Sequence, residues 1–83
     1  MFYKVKFVEA LDNYILLVTF ENGILKRYDV KPLFDKWDIF KDLINIPGLF
    51  KNVSVDKGGY GIYWNDDIDL SCNELWENGI DIK

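Results

Sequence analysis

Hydrophobic and polar residues alternate with a period of two over roughly the first thirty positions, the spacing of strands whose side chains point to opposite faces. Tyr3, Val5 and Phe7 fall on one side and Lys4 and Lys6 on the other, which predicts a half-buried strand. Asp12-Asn13 marks a turn. Tyr14 to Phe20 is dense in β-branched and aromatic residues, and Glu21-Asn22-Gly23 follows. Asn-Gly between two apolar runs is the strongest short-range hairpin signal. The next strand, Ile24 to Val30, sets Ile24, Tyr28 and Val30 on one face and Leu25, Arg27 and Asp29 on the other. The opening reads as a three-stranded antiparallel meander.

Pro32 then ends the ladder, because proline has no N–H to donate. Over residues 33–46 the period changes. Phe34, Trp37, Phe40, Leu43 and Ile44 recur three and four residues apart, as on one helical face, and Asp38 is placed to cap a short helix ending near Ile44. Pro47-Gly48 starts a turn, after which Leu49-Phe50 is expected in the core. Val53 and Val55 point inward from a fourth strand, Asn52 to Asp56, and Lys57-Gly58-Gly59-Tyr60 turns into a fifth, Gly61 to Trp64. Ser71-Cys72-Asn73-Glu74 has the form of a capping box, with the serine capping an amide and the glutamate reaching back. It predicts a helix of about two turns, with Leu75 and Trp76 buried and Gly79 as a left-handed stop. The order β-β-β-α-β-β-α describes one α+β domain over residues 1–83, a sheet with helices packed on it.

The length allows one core and no second one. Apolar residues at 49% and aromatics at 17% are those of a folded chain rather than a disordered one. Ten basic against fourteen acidic residues give a net charge of −4, and Lys26-Arg27 is the only adjacent basic pair. Direct nucleic-acid binding is disfavoured, because phosphate contacts need a basic face; a basic protein partner suits the charge better. Cys72 is the single cysteine, so no intrachain disulfide can form, and a reducing cytoplasm is the expected setting. No apolar run resembles a signal peptide or approaches the length needed to span a bilayer, so no membrane association is expected.

Leu17-Val18-Thr19-Phe20-Glu21-Asn22-Gly23, Tyr28-Asp29-Val30, Pro32-Leu33, Phe50, Val53-Ser54-Val55-Asp56, the glycine turn, Ile62-Tyr63-Trp64, Asp69-Leu70 and Glu74-Leu75-Trp76 follow one another in a distinctive order and spacing. In this, nearly the whole chain resembles the domain of unknown function 2442 family of short bacterial proteins. The resemblance implies an α+β fold and brings no established activity. Some members of that family carry an appended helix-turn-helix domain, and others look like halves of two-gene modules of toxin–antitoxin type. With the chain ending at Lys83, the appended domain is expected to be absent. The family often has a proline and a glycine in the turn after the tryptophan, where this chain reads Asn65-Asp66-Asp67-Ile68.

Chemistry for catalysis is sparse, and no enzyme activity or cofactor is expected. The absence of histidine removes the commonest general base and the usual triads. Cys72 opens a predicted helix without an identifiable basic partner, and reads as a buried structural cysteine rather than a reactive thiol. Asn65, Asp66, Asp67 and Asp69 with Glu74 offer oxygen ligands. However, an EF-hand counted from Asn65 would need glycine and glutamate where Leu70 and Trp76 stand. Turn formation explains the acids better, and no metal site is assigned. Gly58-Gly59-Tyr60-Gly61 leads into a strand rather than a helix, which suits a hairpin and not a phosphate cradle. Nothing in the spacing of Asp29, Asp56 and Asp69 brings them together as an acid/base pair.

The second strand is apolar on both faces, with Leu16, Val18 and Phe20 on one and Ile15 and Leu17 on the other. Either it is a central strand covered on both sides, or Val8, Ile15, Leu17, Leu25 and Tyr63 form an exposed patch, with Arg27, Lys4, Lys6 and Asp29 as its polar rim. Three functions follow from these readings. The first is a protein-interaction module or homodimer, including the acidic, antitoxin-like half of a two-protein module. The second is a small-ligand or divalent-metal domain centred on Gly59, Tyr60, Trp64, Asp66 and Asp69. The third is a nucleic-acid-associated regulator that acts through a partner supplying the basic surface.

Overall fold

A computed structural model describes residues 2–82 of the chain; the outermost residues of the expected domain, Met1 and Lys83, lie outside the described residues. The opening meander consists of β1 (Val5–Ala10), β2 (Ile15–Phe20) and β3 (Leu25–Asp29), paired antiparallel in sequence order. The Asn22-Gly23 hairpin forms as the dipeptide predicts. Gly23 takes φ +89°, and Asn22 Oδ1 accepts from the Ile24 N–H at 3.0 Å. At the other turn Asn13 and Tyr14 both adopt positive φ, of 62° and 57°. Such backbone is rare for a tyrosine. It persists because the Tyr14 ring packs edge-on against Phe34 and Phe50, while Lys31 Nζ and the Val30 N–H donate to the Asn13 and Tyr14 carbonyls.

One register detail reverses an expectation. Val5 pairs with Phe20 but Phe7 with Thr19, so a bulge at Lys6 intervenes. A bulge inserts one residue and exchanges the faces of all that follow. Val5 is buried, Phe7 stands 61% exposed on the opposite face, and Val8 turns inward opposite the fully buried Val18. Tyr3, Val5 and Phe7 therefore do not share one face.

The expected single helix over 33–46 is three short pieces. Pro32 sits in the first turn of α1 (Lys31–Lys36), where its missing N–H costs nothing. Trp37 is extended and ends that helix, a 3-10 turn spans Asp38–Lys41, and α2 covers Asp42–Asn45. Asp38 makes no side-chain cap. Only Phe34, Phe40 and Leu43 of the expected face are buried, whereas Trp37 and Ile44 are exposed.

The C-terminal half forms a second antiparallel sheet of β4 (Ser54–Val55), β5 (Gly61–Tyr63) and β6 (Asp69–Ser71). α3 (Cys72–Asn78) follows directly, and β7 (Ile80–Asp81) then returns to the edge of β3, so the first sheet has the order β1-β2-β3-β7. β6 and β7 are additions to the expected β-β-β-α-β-β-α order. The α+β class holds. Ser71 Oγ accepts from the Glu74 N–H at 3.1 Å, as in a capping box. Glu74 does not reach back; its carboxylate accepts from the Tyr28 hydroxyl at 2.7 Å and from Asn78 at 2.9 Å. Gly79 is extended, with φ −75°, and not left-handed. A side chain there would collide with the Leu75 carbonyl and the Lys26 stem, so the glycine serves close packing.

Both sheets and all three helices contribute to one core around Leu16, Val18, Phe20, Ile62, Ile68 and Leu75. Within it lies a lysine. Lys26 Nζ donates to the Trp76 carbonyl at 2.7 Å, pairs with Asp81 at 3.2 Å and sits 4.3 Å from the Trp76 ring centroid. The opposite side of that tryptophan region is held by Tyr3, whose ring stacks on Trp76 at 3.8 Å. Lys26 thereby ties α3 and β7 to the core face of β3.

Candidate functional site

The helices and the second sheet all pack on the face of the first sheet that carries Val5, Leu16, Val18, Phe20, Lys26 and Tyr28. Among the described residues no other element covers the opposite face. Reading across the strands, one row is Phe7–Thr19–Leu25 and the next is Glu9–Leu17–Arg27–Ile80, with Ile15–Asp29 beyond. Ile82, whose N–H donates to the Leu25 carbonyl, extends the first row. Ile15 and Leu17 are half-buried by their neighbours, Leu25 and Ile82 are exposed, and Ile80 is 72% exposed. Six apolar side chains thus lie together on one side of the sheet, against the few singly scattered ones expected of an ordinary surface.

Of the residues expected on such a patch, Ile15, Leu17, Leu25 and Arg27 come together. Val8 does not, because the bulge turns it into the core, and Tyr63 does not, because it projects from β5 in the second sheet. Phe7, Ile80 and Ile82 take their places. Phe7 was masked by the bulge. Ile80 and Ile82 lie on and beside a two-residue strand that periodicity cannot reveal, although the alternation Ile80-Asp81-Ile82 was there to be seen.

The charges on this face are few. Asp29 is paired with Lys31 at 3.0 Å. Desolvation works to raise the Asp29 carboxyl, but hydrogen bonds from the Lys31 Nζ and N–H, together with its charge, hold it below the usual carboxylate range. Among the described residues neither Glu9 nor Arg27 has an ion-pair partner. On the covered side, burial pushes the Tyr28 hydroxyl well above its ordinary value, and the hydrogen bond to Glu74 and the Glu74 and Asp29 charges add to this.

The residues of the ligand reading divide. Trp64 is buried and its Nε1 donates to the Phe50 carbonyl at 3.0 Å, so it belongs to the core. Gly59, at φ +81°, is buried where a Cβ would stand 2.7 Å from the Val5 carbonyl, and its own carbonyl accepts from the Val5 N–H; it joins the two sheets. Tyr60, Asp66 and Asp69 do come together, with Asp56 and Tyr63, around an open hollow of about 580 Å³. The Asp56 carboxylate accepts from the Tyr60 N–H, and Asn65 Oδ1 accepts from the Asp67 and Ile68 N–H groups, so the acidic turn satisfies its own backbone. Among the described residues no group of three His, Cys, Asp or Glu side chains is placed to hold a metal ion. Asp29 does not line the hollow with Asp56 and Asp69, and Cys72 is buried. No described helix is long and apolar enough to cross a membrane.

A family model described as "Protein of unknown function (DUF2442)" matches residues 5–81, from the first residue of β1 to the last of β7. The chain belongs to that family. No curated protein and no solved structure matches it. The DUF2442 match therefore encloses the core and all of the uncovered sheet face but Ile82, and its description assigns no activity to either.

Proposed function

We propose that this DUF2442 protein is a protein-interaction module that engages another protein chain through the uncovered face of its first sheet. The observation that supports this most is the grouping of Phe7, Ile15, Leu17, Leu25, Ile80 and Ile82 on a face that no other element covers. Strand addition is the poorer route. The free edge of β1 is interrupted by its bulge beside Lys6, and β7 at the other edge is only two residues long. The face carries little of the −4 net charge, so its complement is mainly apolar. The acids that would draw a basic partner, as in the antitoxin-like half of a two-protein module, gather instead at the hollow beside the second sheet.

The test is to recover the tagged protein from its native cells beside a folded Leu17→Lys variant, and then to rebuild any complex from purified components. A stoichiometric complex that re-forms with the wild type and not with the variant supports the reading. Failure to form any complex, with itself or another protein, removes it. A second reading, a small cationic ligand at Asp56, Asp66, Asp69, Tyr60 and Tyr63, has the hollow itself in its favour. Thermal-shift assays with calcium, magnesium and a metabolite panel address it, and a flat response throughout would leave it without support.

A further inference from the structure

The uncovered face is complementary to itself. Its middle row reads Glu9, Leu17, Arg27, with Leu17 on β2 and the two opposite charges one strand away on either side. Strands lie about 4.8 Å apart, so Glu9 and Arg27 of one chain are separated by about 10 Å with Leu17 between them. Neither has an ion-pair partner among the described residues. A rotation of 180° about an axis lying in the interface along β2 exchanges left and right. It sets Leu17 against Leu17 and Ile15 against Ile15, places Phe7 over Leu25, and brings Glu9 to Arg27 of the other copy. By symmetry that ion pair forms twice, as an isologous interface requires.

We propose that the occupant of this face is a second copy of the chain, packed sheet to sheet about a two-fold axis along β2, with Leu17 at its centre and two Glu9–Arg27 pairs at its flanks. The proposal rests on the interaction-module reading and adds the partner and the geometry. Aligned sheets pack about 10 Å apart with their strands within about 30° of one another. The long arginine and glutamate side chains span that gap, and a crossing of about 30° displaces positions one strand from the axis by about 2.5 Å, which those flexible side chains absorb. A basic partner would find one arginine and one glutamate on this face, neither ion-paired among the described residues, and no net attraction. A second copy neutralises both.

The size of the face sets the strength. In this arrangement three strands overlap, since β7 lies beyond the partner's β1; at about 4.8 Å apart and about five residues of 3.3 Å each they give roughly 240 Å² in projection. That is below the roughly 800 Å² per partner of a standard stable interface. The dimer is thus expected to be weak and transient, assembling only at high protein concentration.

Sedimentation equilibrium of the full chain from about 10 µM to 1 mM tests this, with Arg27→Glu, Glu9→Arg, the double exchange and Leu17→Lys, each checked for folding by circular dichroism. The expected result is a concentration-dependent monomer–dimer equilibrium. Each single charge reversal should weaken it at least about tenfold, the double exchange should restore it to within about threefold, and Leu17→Lys should abolish it. The double exchange separates a paired contact from mere loss of a surface charge. A wild type that remains monomeric to 1 mM, or single reversals without effect, or a double exchange as weak as either single, would overturn the proposal. A monomeric wild type that still forms a Leu17-dependent complex with a different protein overturns the homodimer and leaves the interaction-module reading standing. The absence of any complex removes both.

Discussion

The two faces of the first sheet are made by the same strands and by similar residues, yet their surroundings differ. On β2 the alternation is Ile15, Leu17 and Thr19 against Leu16, Val18 and Phe20, and the second set is completely buried. The covered face even accommodates a lysine, because Lys26 finds a carbonyl, a carboxylate and an aromatic ring within reach. The uncovered face has an arginine and a glutamate without ion-pair partners among the described residues, and Ile80, Ile82 and Phe7 standing in solvent. Burial accounts for one set of apolar residues and not for the other. Leucine on a surface adds little to folding, so the outer set points to something beyond stability.

Substitutions that act on one face and spare the other would break this contrast, and the largest effect belongs to the core. Phe20→Ala removes a fully buried ring that meets Trp76 edge-on and should cost about 3–5 kcal/mol in denaturant unfolding. Lys26→Met keeps the stem and loses the charge, leaving the Trp76 carbonyl without its donor. The expected cost is about 1–3 kcal/mol, with β7 exchanging its amide hydrogens faster than β2.

Tyr28→Phe comes next, at about 1 kcal/mol near neutral pH. It also carries a pH signature. The Tyr28 hydroxyl is held above its ordinary value in the folded state, so the native chain keeps a proton that the unfolded chain gives up. Its contribution is complete below about pH 10 and declines above it, by about 1.4 kcal/mol per pH unit. The wild type should lose stability more steeply than Tyr28→Phe in unfolding curves above pH 10. Leu17→Lys is expected to have the smallest effect, under about 1 kcal/mol, since Leu17 is only half-buried and the lysine stem can lie over the same neighbours. A cost of several kcal/mol there would mean that the outer face is part of the core after all, and the contrast between the faces would fail.

Much of this contrast was legible in the residues. Asn22-Gly23 fixed the hairpin, and the double alternation of β2 announced that both its faces are apolar. Which face would be left open was not legible, since it depends on where all the other elements pack. The bulge at Lys6 was hidden because a period-two reading assumes that no residue is inserted, and so Val8 and Phe7 exchanged places. β6 and β7, at three and two residues, are too short to show a period. Tyr63 has the alternation of a patch member, but β5 pairs with β4 and β6 in a separate sheet, which no local pattern shows. Lys26 was invisible for the opposite reason. Nothing local distinguishes a lysine that will be buried, because its partners Trp76 and Asp81 lie about fifty residues further along the chain.

The central claim is that the outer face, and not some other surface, meets another protein chain. A photo-crosslinking amino acid placed at Leu17 in cells, with the same residue at Tyr63 on the second sheet as the comparison, tests it most directly. The expected result is a discrete crosslinked species from position 17, whether with a second copy or with another protein, and little from position 63. Crosslinks from position 63 alone, or none from position 17 in a folded protein, would contradict it.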